Sequence, residues 1–245
     1  MGVDRGWEFI NGAVSGYGTD QQYLFYRNEG HRYRPHEVVL LIYENDLLET
    51  SCPSMYGYPK PYFVRKSSDG LELRNVPVPD RTLVHRLHAW LMAHSFLWSY
   101  YSYSTGLAVR MDVGCSGKID FPLNEAVLHA FVEQLRKNDV DFLWVLIPSR
   151  PGRQGGVLHE FYPRIARREG VQVLDLAPPL GAAAEGGEEL TLWEDPHWNA
   201  AGHRLAAAAI AERLACAKKI APSAREGGPW AQHSSAASPR GSGER

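Results

Sequence analysis

The chain has 245 residues, of which 44% are apolar and 22% charged, with a formal net charge of -2. That length suits one domain with a sizeable core, and the near-neutral balance excludes a disordered polyelectrolyte and a globally basic nucleic-acid binder. The three cysteines, Cys52, Cys115 and Cys216, are far apart and form no Cys-x-x-Cys pair. Neither a zinc site nor a dense disulfide framework follows, and one pairing stays open.

In chain order, residues 8–14 (Glu-Phe-Ile-Asn-Gly-Ala-Val) read as a short buried strand. Ser15-Gly-Tyr-Gly18 turns the chain, and Thr19 or Asp20 starts a helix to about Tyr33, stopped by Arg34-Pro35. Residues 37–43, Glu-Val-Val-Leu-Leu-Ile-Tyr, form the clearest strand, a continuous apolar run of the kind buried on both faces of a parallel sheet. Residues 51–79, rich in Pro, Ser, Tyr and Gly, read as a long excursion with a hairpin, and residues 80–101 as a helix. The most apolar stretch, Leu87 to Val109, is interrupted by His88, His94 and many Ser and Tyr residues, so it reads as an aromatic-rich helix or cap and not as a membrane span. Its aromatic side chains, from Trp90 to Tyr103, are expected in the core or along an acyl pocket.

Residues 120–137 place Leu123, Val127, Ala130, Phe131 and Leu135 at helical spacing, and residues 141–147 form a second fully buried strand closed by Pro148. Residues 157–168 predict a helix with Arg164, Arg167 and Arg168 on a solvated face, and residues 171–175 a short strand. Residues 181–189 read as a flexible loop and residues 199–218 as the last helix, with His203, Ala206, Ala207, Ile210 and Leu214 along one stripe. Strands alternating with helices make an α/β fold with a mostly parallel sheet. One domain is expected over residues 1–218, with 51–118 as a cap-like insertion and 219–245 as a polar disordered tail. The opening Met1-Gly-Val-Asp-Arg5-Gly has no apolar run, so no signal peptide is read there.

Ligands of such folds sit where the C-terminal ends of strands meet the following helices. Three segments lie at such ends. Gly16 offers a backbone N–H at a tight turn, Asn45 a side-chain amide at the end of a rigid strand, and Asp195-Pro-His197 an imidazole with an acid two residues before it. The carboxylate can hold one ring nitrogen and leave the other to take a proton from a nucleophile. Each segment also has a plainer use, as turn glycine, as helix cap, or as a helix entry with Asn199 as N-cap. What favours the catalytic use is the presence of all three in order.

Asn11-Gly-Ala-Val-Ser-Gly16-Tyr-Gly-Thr-Asp-Gln21, Tyr43-Glu-Asn45-Asp46 and Asp195-Pro-His197-Trp-Asn resemble three of the four signature blocks of the SGNH (GDSL) hydrolases. The resemblance implies a three-layer α/β/α, flavodoxin-like fold and serine-dependent hydrolysis or transfer of ester-linked acyl groups, on a small-molecule or glycan-linked substrate and without a cofactor. It places Gly16 and Asn45 in the oxyanion hole, His197 as general base and Asp195 as its partner. Many members carry the acid three residues before the histidine, where this chain has Glu194, so both acids stay open. The family's nucleophile lies in a Gly-Asp-Ser block after the first strand, and this chain has no Gly-Asp-Ser. Gly114-Cys-Ser116-Gly117 is its nearest imitation and lacks the nucleophile-elbow pattern. The expectation is therefore an enzyme shortened at its N-terminus, with the first strand and the serine missing. The alternative is a non-catalytic acyl- or carbohydrate-binding descendant.

Two other readings carry less. Gly16-x-Gly18 at a helix start could hold a nucleotide phosphate, but neither full phosphate-binding motif is present. A metal held by Asp195, His197 and His203 is not expected, because His203 falls on the apolar stripe of the last helix.

Overall fold

The computed structural model describes residues 8–55, 58–66, 70–108 and 117–220. The expected tail beyond 220, Cys115 and the Gly114–Ser116 imitation lie outside the described residues.

The centre is a parallel three-stranded sheet in the order β1 (Glu37–Ile42), β6 (Asp141–Leu146), β7 (Gln172–Asp175). Glu37 pairs with Asp141 and Leu143 with Gln172, so the apolar runs lie side by side in register. Before β6 come α1 (Thr19–Asn28), α2 (Asp46–Thr50), the short pair β2 (Ser54–Met55) and β3 (Tyr58–Pro59), the hairpin β4 (Tyr62–Arg65) and β5 (Leu71–Arg74), α3 (Leu83–His94), α4 (Phe96–Ser104) and α5 (Phe121–Lys137). After it come α6 (Gly156–Glu169), α7 (Ala177–Glu185) following β7, the hairpin β8 (Thr191–Leu192) and β9 (Asp195–Trp198), and α8 (Ala200–Ile220).

The pleat sends alternate side chains to opposite faces. Leu40, Ile42, Trp144 and Leu146 join Tyr23, Leu24, Val127, Phe131, Tyr162 and Ile165 from α1, α5 and α6. Leu143 and Val145 join Leu176, Leu180, Leu190, Ala206 and Leu214, the side of α7 and α8. Helices cover both faces, and the layers are α/β/α. Fully burying Trp144, at 0% exposure, contributes roughly 1.5–3 kcal/mol or more at the usual rate for large apolar side chains.

The structure corrects several expectations. Residues 8–14 form no strand, and Phe9, Ile10 and Val14 are 64%, 53% and 48% exposed. An apolar run becomes a strand only when its backbone enters a sheet ladder, and no ladder among the described residues takes in 8–14. Nor is β1 buried on both faces: β6 is its one strand partner among the described residues, and Leu41 is 42% exposed. Residues 181–189 are not simply a loop, because α7 runs through Glu185. Gly181 had suggested flexibility, yet a Cβ there would lie 2.6 Å from the Gly152 Cα, so the glycine serves close backbone packing. The helix expected over 80–101 is two helices broken at Ser95, which caps the second by accepting from Trp98 N–H at 3.2 Å. The first helix turns 3-10 after Asn28, over Gly30–Tyr33. His203 is exposed, its ring edge-on to Trp198 at 5.7 Å, and Ala207 is exposed as well. The aromatic stretch expected in the core is largely exposed, with Trp90 at 56% and Phe96 at 89%. Of the cysteines, Cys52 is buried and disulfide-bonded, and Cys216 is free and exposed.

Candidate active site

The Asp195–His197 segment forms strand β9 rather than a plain loop, paired with β8 across a turn in which Glu194 adopts φ +54°. Asp195 Oδ1 accepts the His197 backbone N–H at 2.8 Å and also contacts His197 Nδ1. Those backbone and side-chain bonds hold the Asp195 carboxyl below its ordinary range. With Nδ1 engaged, Nε2 is the nitrogen turned outward, on a side chain 81% exposed. Asp195 rather than Glu194 is the acid that touches the ring.

Asn199 then fastens this hairpin to the following helix. Its Oδ1 accepts from Ala201 N at 2.8 Å and Gly202 N at 3.1 Å, while its Nδ2 donates to the Glu189 and Thr191 carbonyls. Gly202 packs so close that a Cβ would lie 2.5 Å from the Leu190 carbonyl oxygen.

At the end of β1, Asp46 folds the loop that presents Asn45. Its Oδ2 accepts the Tyr43 N–H at 3.2 Å, and its own N–H donates to the Tyr43 carbonyl at 3.2 Å. Asn45 is exposed, and its Nδ2 donates to Glu49 Oε1 one turn along α2, at 2.8 Å. Gly16 sits at φ +76°, the left-handed region that favours glycine, in a turn closed by Tyr17 N–H to the Val14 carbonyl at 3.3 Å. Two residues on, a Cβ on Gly18 would lie 2.8 Å from Thr50 N and 2.9 Å from Glu49 Cβ. The glycine block and the Asn45 loop are therefore packed against each other through α2. No hydrogen bond or ion pair among the described residues joins His197 to Gly16 or Asn45.

Beneath that pair of loops lies a buried ionic cluster that pattern reading missed. Asp20, Asp46, Glu49 and Lys60 are 0%, 5%, 1% and 4% exposed. Lys60 Nζ pairs with Asp20 Oδ2. Burial pushes the Asp20 carboxyl up to about 6 even though Lys60 opposes it, and burial lowers Lys60 in turn. Asp46 is raised well above its usual range by burial, with Glu49 and Asp20 adding to the rise. The only sequence hint is that Asp20 and Asp46 sit inside two of the signature blocks. Lys60, in the middle of Pro-Lys-Pro, carries no local sign of its partner.

A second Asp–His contact sits at the ends of β6 and β7. His159 Nε2 lies 3.3 Å from Asp175 Oδ1, and its Nδ1 lies 3.0 Å from the Gly155 carbonyl oxygen. Both ring nitrogens face acceptors, so this histidine latches α6 to β7. No cluster of three or more metal-binding side chains occurs among the described residues, and no described helix is long and apolar enough to cross a membrane.

A parallel sheet covered by helices on both faces, with an aspartate-oriented histidine just before the last helix, defines an α/β protein consistent with an SGNH-like fold. Residues 120–236 match the family described as SGNH hydrolase-like domain, acetyltransferase AlgX, which supports an SGNH-like family for that part of the chain. The match takes in Asp195 and His197, supports an acyl-related function, and leaves Gly16 and Asn45 outside its span. No curated protein and no solved structure matches the chain.

Proposed function

We propose that the chain carries the base and the oxyanion donors of an SGNH-type enzyme that hydrolyses or transfers ester-linked acyl groups, and that as written it lacks the nucleophile. The observation that carries this is the His197 ring, fixed through Nδ1 by Asp195 with Nε2 facing outward. In the proposed chemistry Nε2 takes the proton of a serine hydroxyl as its oxygen attacks the acyl carbonyl carbon. Gly16 N–H and Asn45 Nδ2 donate to the oxyanion, and the proton passes to the departing alcohol oxygen. Water or a second hydroxyl then releases the acyl group by the same steps. The serine is proposed to arrive on a strand that lies along the edge of β1 away from β6, where Leu41 is exposed.

The test is p-nitrophenyl acetate turnover by the chain as written and by one extended at its N-terminus with an apolar strand and Gly-Asp-Ser. Removing a triad nucleophile costs on the order of a million-fold in turnover, so the first should stay at background and the second should not. His197→Ala in the extended chain should abolish the gain. Robust turnover by the chain as written would overturn the proposal. Acyl-glycan binding without turnover in either chain would make it a binding protein instead.

A further inference from the structure

The helical hairpin α3–α4 leaves many large apolar side chains uncovered. Leu83, Val84, Leu87 and Trp90 on α3 are 79%, 66%, 59% and 56% exposed, and Phe96, Leu97, Tyr100 and Tyr103 on α4 are 89%, 76%, 66% and 69% exposed. Each set recurs at three- and four-residue intervals, so each helix shows solvent one apolar stripe. A run of large apolar side chains this open marks a surface made for contact. The hairpin is nonetheless built firmly. Thr82 caps α3 by accepting from His85 N–H at 3.3 Å, and Ser95 caps α4. Trp98 Nε1 donates to His88 Nδ1 at 3.2 Å and so ties the two helices together. An ordered element whose apolar side faces outward is not the edge of a core.

The charges on the hairpin select the partner. From Arg81 to Ala108 there is no aspartate or glutamate, while the stretch carries Arg81, Arg86, His85, His88 and His94. Arg86 is the exposed arginine, beside the α3 stripe, while Arg81 is half-buried over the Tyr58 ring and His88 is a buried acceptor for Trp98. With no acid on either helix, a symmetric contact between two copies would leave Arg86 without an opposite charge from its copy. A surface of phosphate groups is attracted to it instead. The stripes hold Trp and Tyr beside Leu and Phe, side chains that place an apolar body in acyl chains and a polar tip among headgroups. At 12 and 9 residues, α3 and α4 fall short of the roughly 20 needed to span a bilayer, so the hairpin lies in its surface.

We propose that α3–α4 is a membrane-docking hairpin that inserts its apolar stripes at the headgroup level of an anionic lipid bilayer. Docking would hold the domain against a bilayer independently of whether the site is catalytic. The experiment is co-sedimentation of the chain with vesicles of phosphatidylcholine alone and of phosphatidylcholine mixed with phosphatidylglycerol. Fluorescence of the chain is followed in parallel with brominated lipid as quencher. Binding to the mixed vesicles with quenching is expected. Leu87→Ser with Phe96→Ser and Leu97→Ser should lose that binding, and Arg86→Glu should weaken it roughly tenfold or more, since it reverses one charge near the surface. All substituted side chains are exposed, and an unchanged thermal midpoint shows that the fold is intact. Equal binding to both vesicle types, or binding untouched by the substitutions, would overturn the proposal. So would self-association abolished by the same substitutions in a chain that ignores vesicles.

Discussion

Replacing Lys60 with Met leaves Asp20 buried at 0% side-chain exposure with its cation gone, and removes the positive charge that also faces Glu49. Breaking a buried ion pair from one side costs about 3–5 kcal/mol, because an uncompensated charge stays out of water. At about 2–4 °C per kcal/mol for a chain of this size, the thermal midpoint should fall by roughly 6–20 °C at neutral pH. Asp20→Asn should cost a similar amount, by stranding Lys60. The double variant removes both charges and should recover most of the loss, giving a large coupling in a double-mutant cycle. The pH dependence has a definite sign. Asp20 is already raised to about 6 with Lys60 present, because burial favours its neutral form. A raised carboxyl binds its proton more tightly when folded, so its contribution is present at low pH and lost as pH rises through the folded value. Without Lys60 that value rises further, and the cost of Lys60→Met should shrink as pH falls from about 8 to about 5. The assay is thermal and urea unfolding of the four proteins at both pH values. A Lys60→Met cost that does not change with pH, or a double variant as unstable as the two singles summed, would refute the reasoning.

Gly202→Ala drives a Cβ against the Leu190 carbonyl oxygen, 2.5 Å away, and should destabilise the chain by about 1–3 kcal/mol in urea unfolding; an unchanged midpoint would show that the start of α8 yields freely. Trp144→Ala removes the largest fully buried side chain and should cost about 3–5 kcal/mol, and a loss below 1 kcal/mol would mean that the face under α5 and α6 collapses to fill the space. Asp195→Asn in the serine-bearing chain should lower kcat on the order of a thousand-fold or more while leaving stability nearly unchanged, as the pair is exposed; retained kcat would show that Glu194 or water orients His197.

Much of this was legible because it is local. The apolar runs at 37–43 and 141–147 became adjacent parallel strands, and Asp120 caps the helix at Phe121 by accepting from Leu123 N–H at 2.9 Å. Asp195, two residues before His197, could reach back to the ring whatever the distant packing. What stayed hidden depends on partners far along the chain. Lys60 and Asp20 are 40 residues apart, and nothing near Lys60 announces a carboxylate. Residues 8–14 have the composition of a strand, but pairing belongs to two segments and not to one. Gly181 looked like loop chemistry because its reason is the Gly152 backbone, 29 positions away. His203 was assigned inward from the helical period, yet its neighbour on that side is Trp198, which leaves it at the rim.

The two faces of β6 set a condition on when the site can work. Leu143 and Val145 anchor the cluster that carries Trp198 and α8, and with them the histidine hairpin, while Trp144 and Leu146 anchor the cluster that carries Leu47, Tyr23 and the two loops with Asn45 and Gly16. Both clusters are seated on β6, so an opening that reaches this strand unseats both. In the acyl-transfer reading, a bound ester meets base and oxyanion donors together only while both units are closed. The competent fraction is then the population in which both clusters are seated on that strand, and loosening either lowers turnover with it.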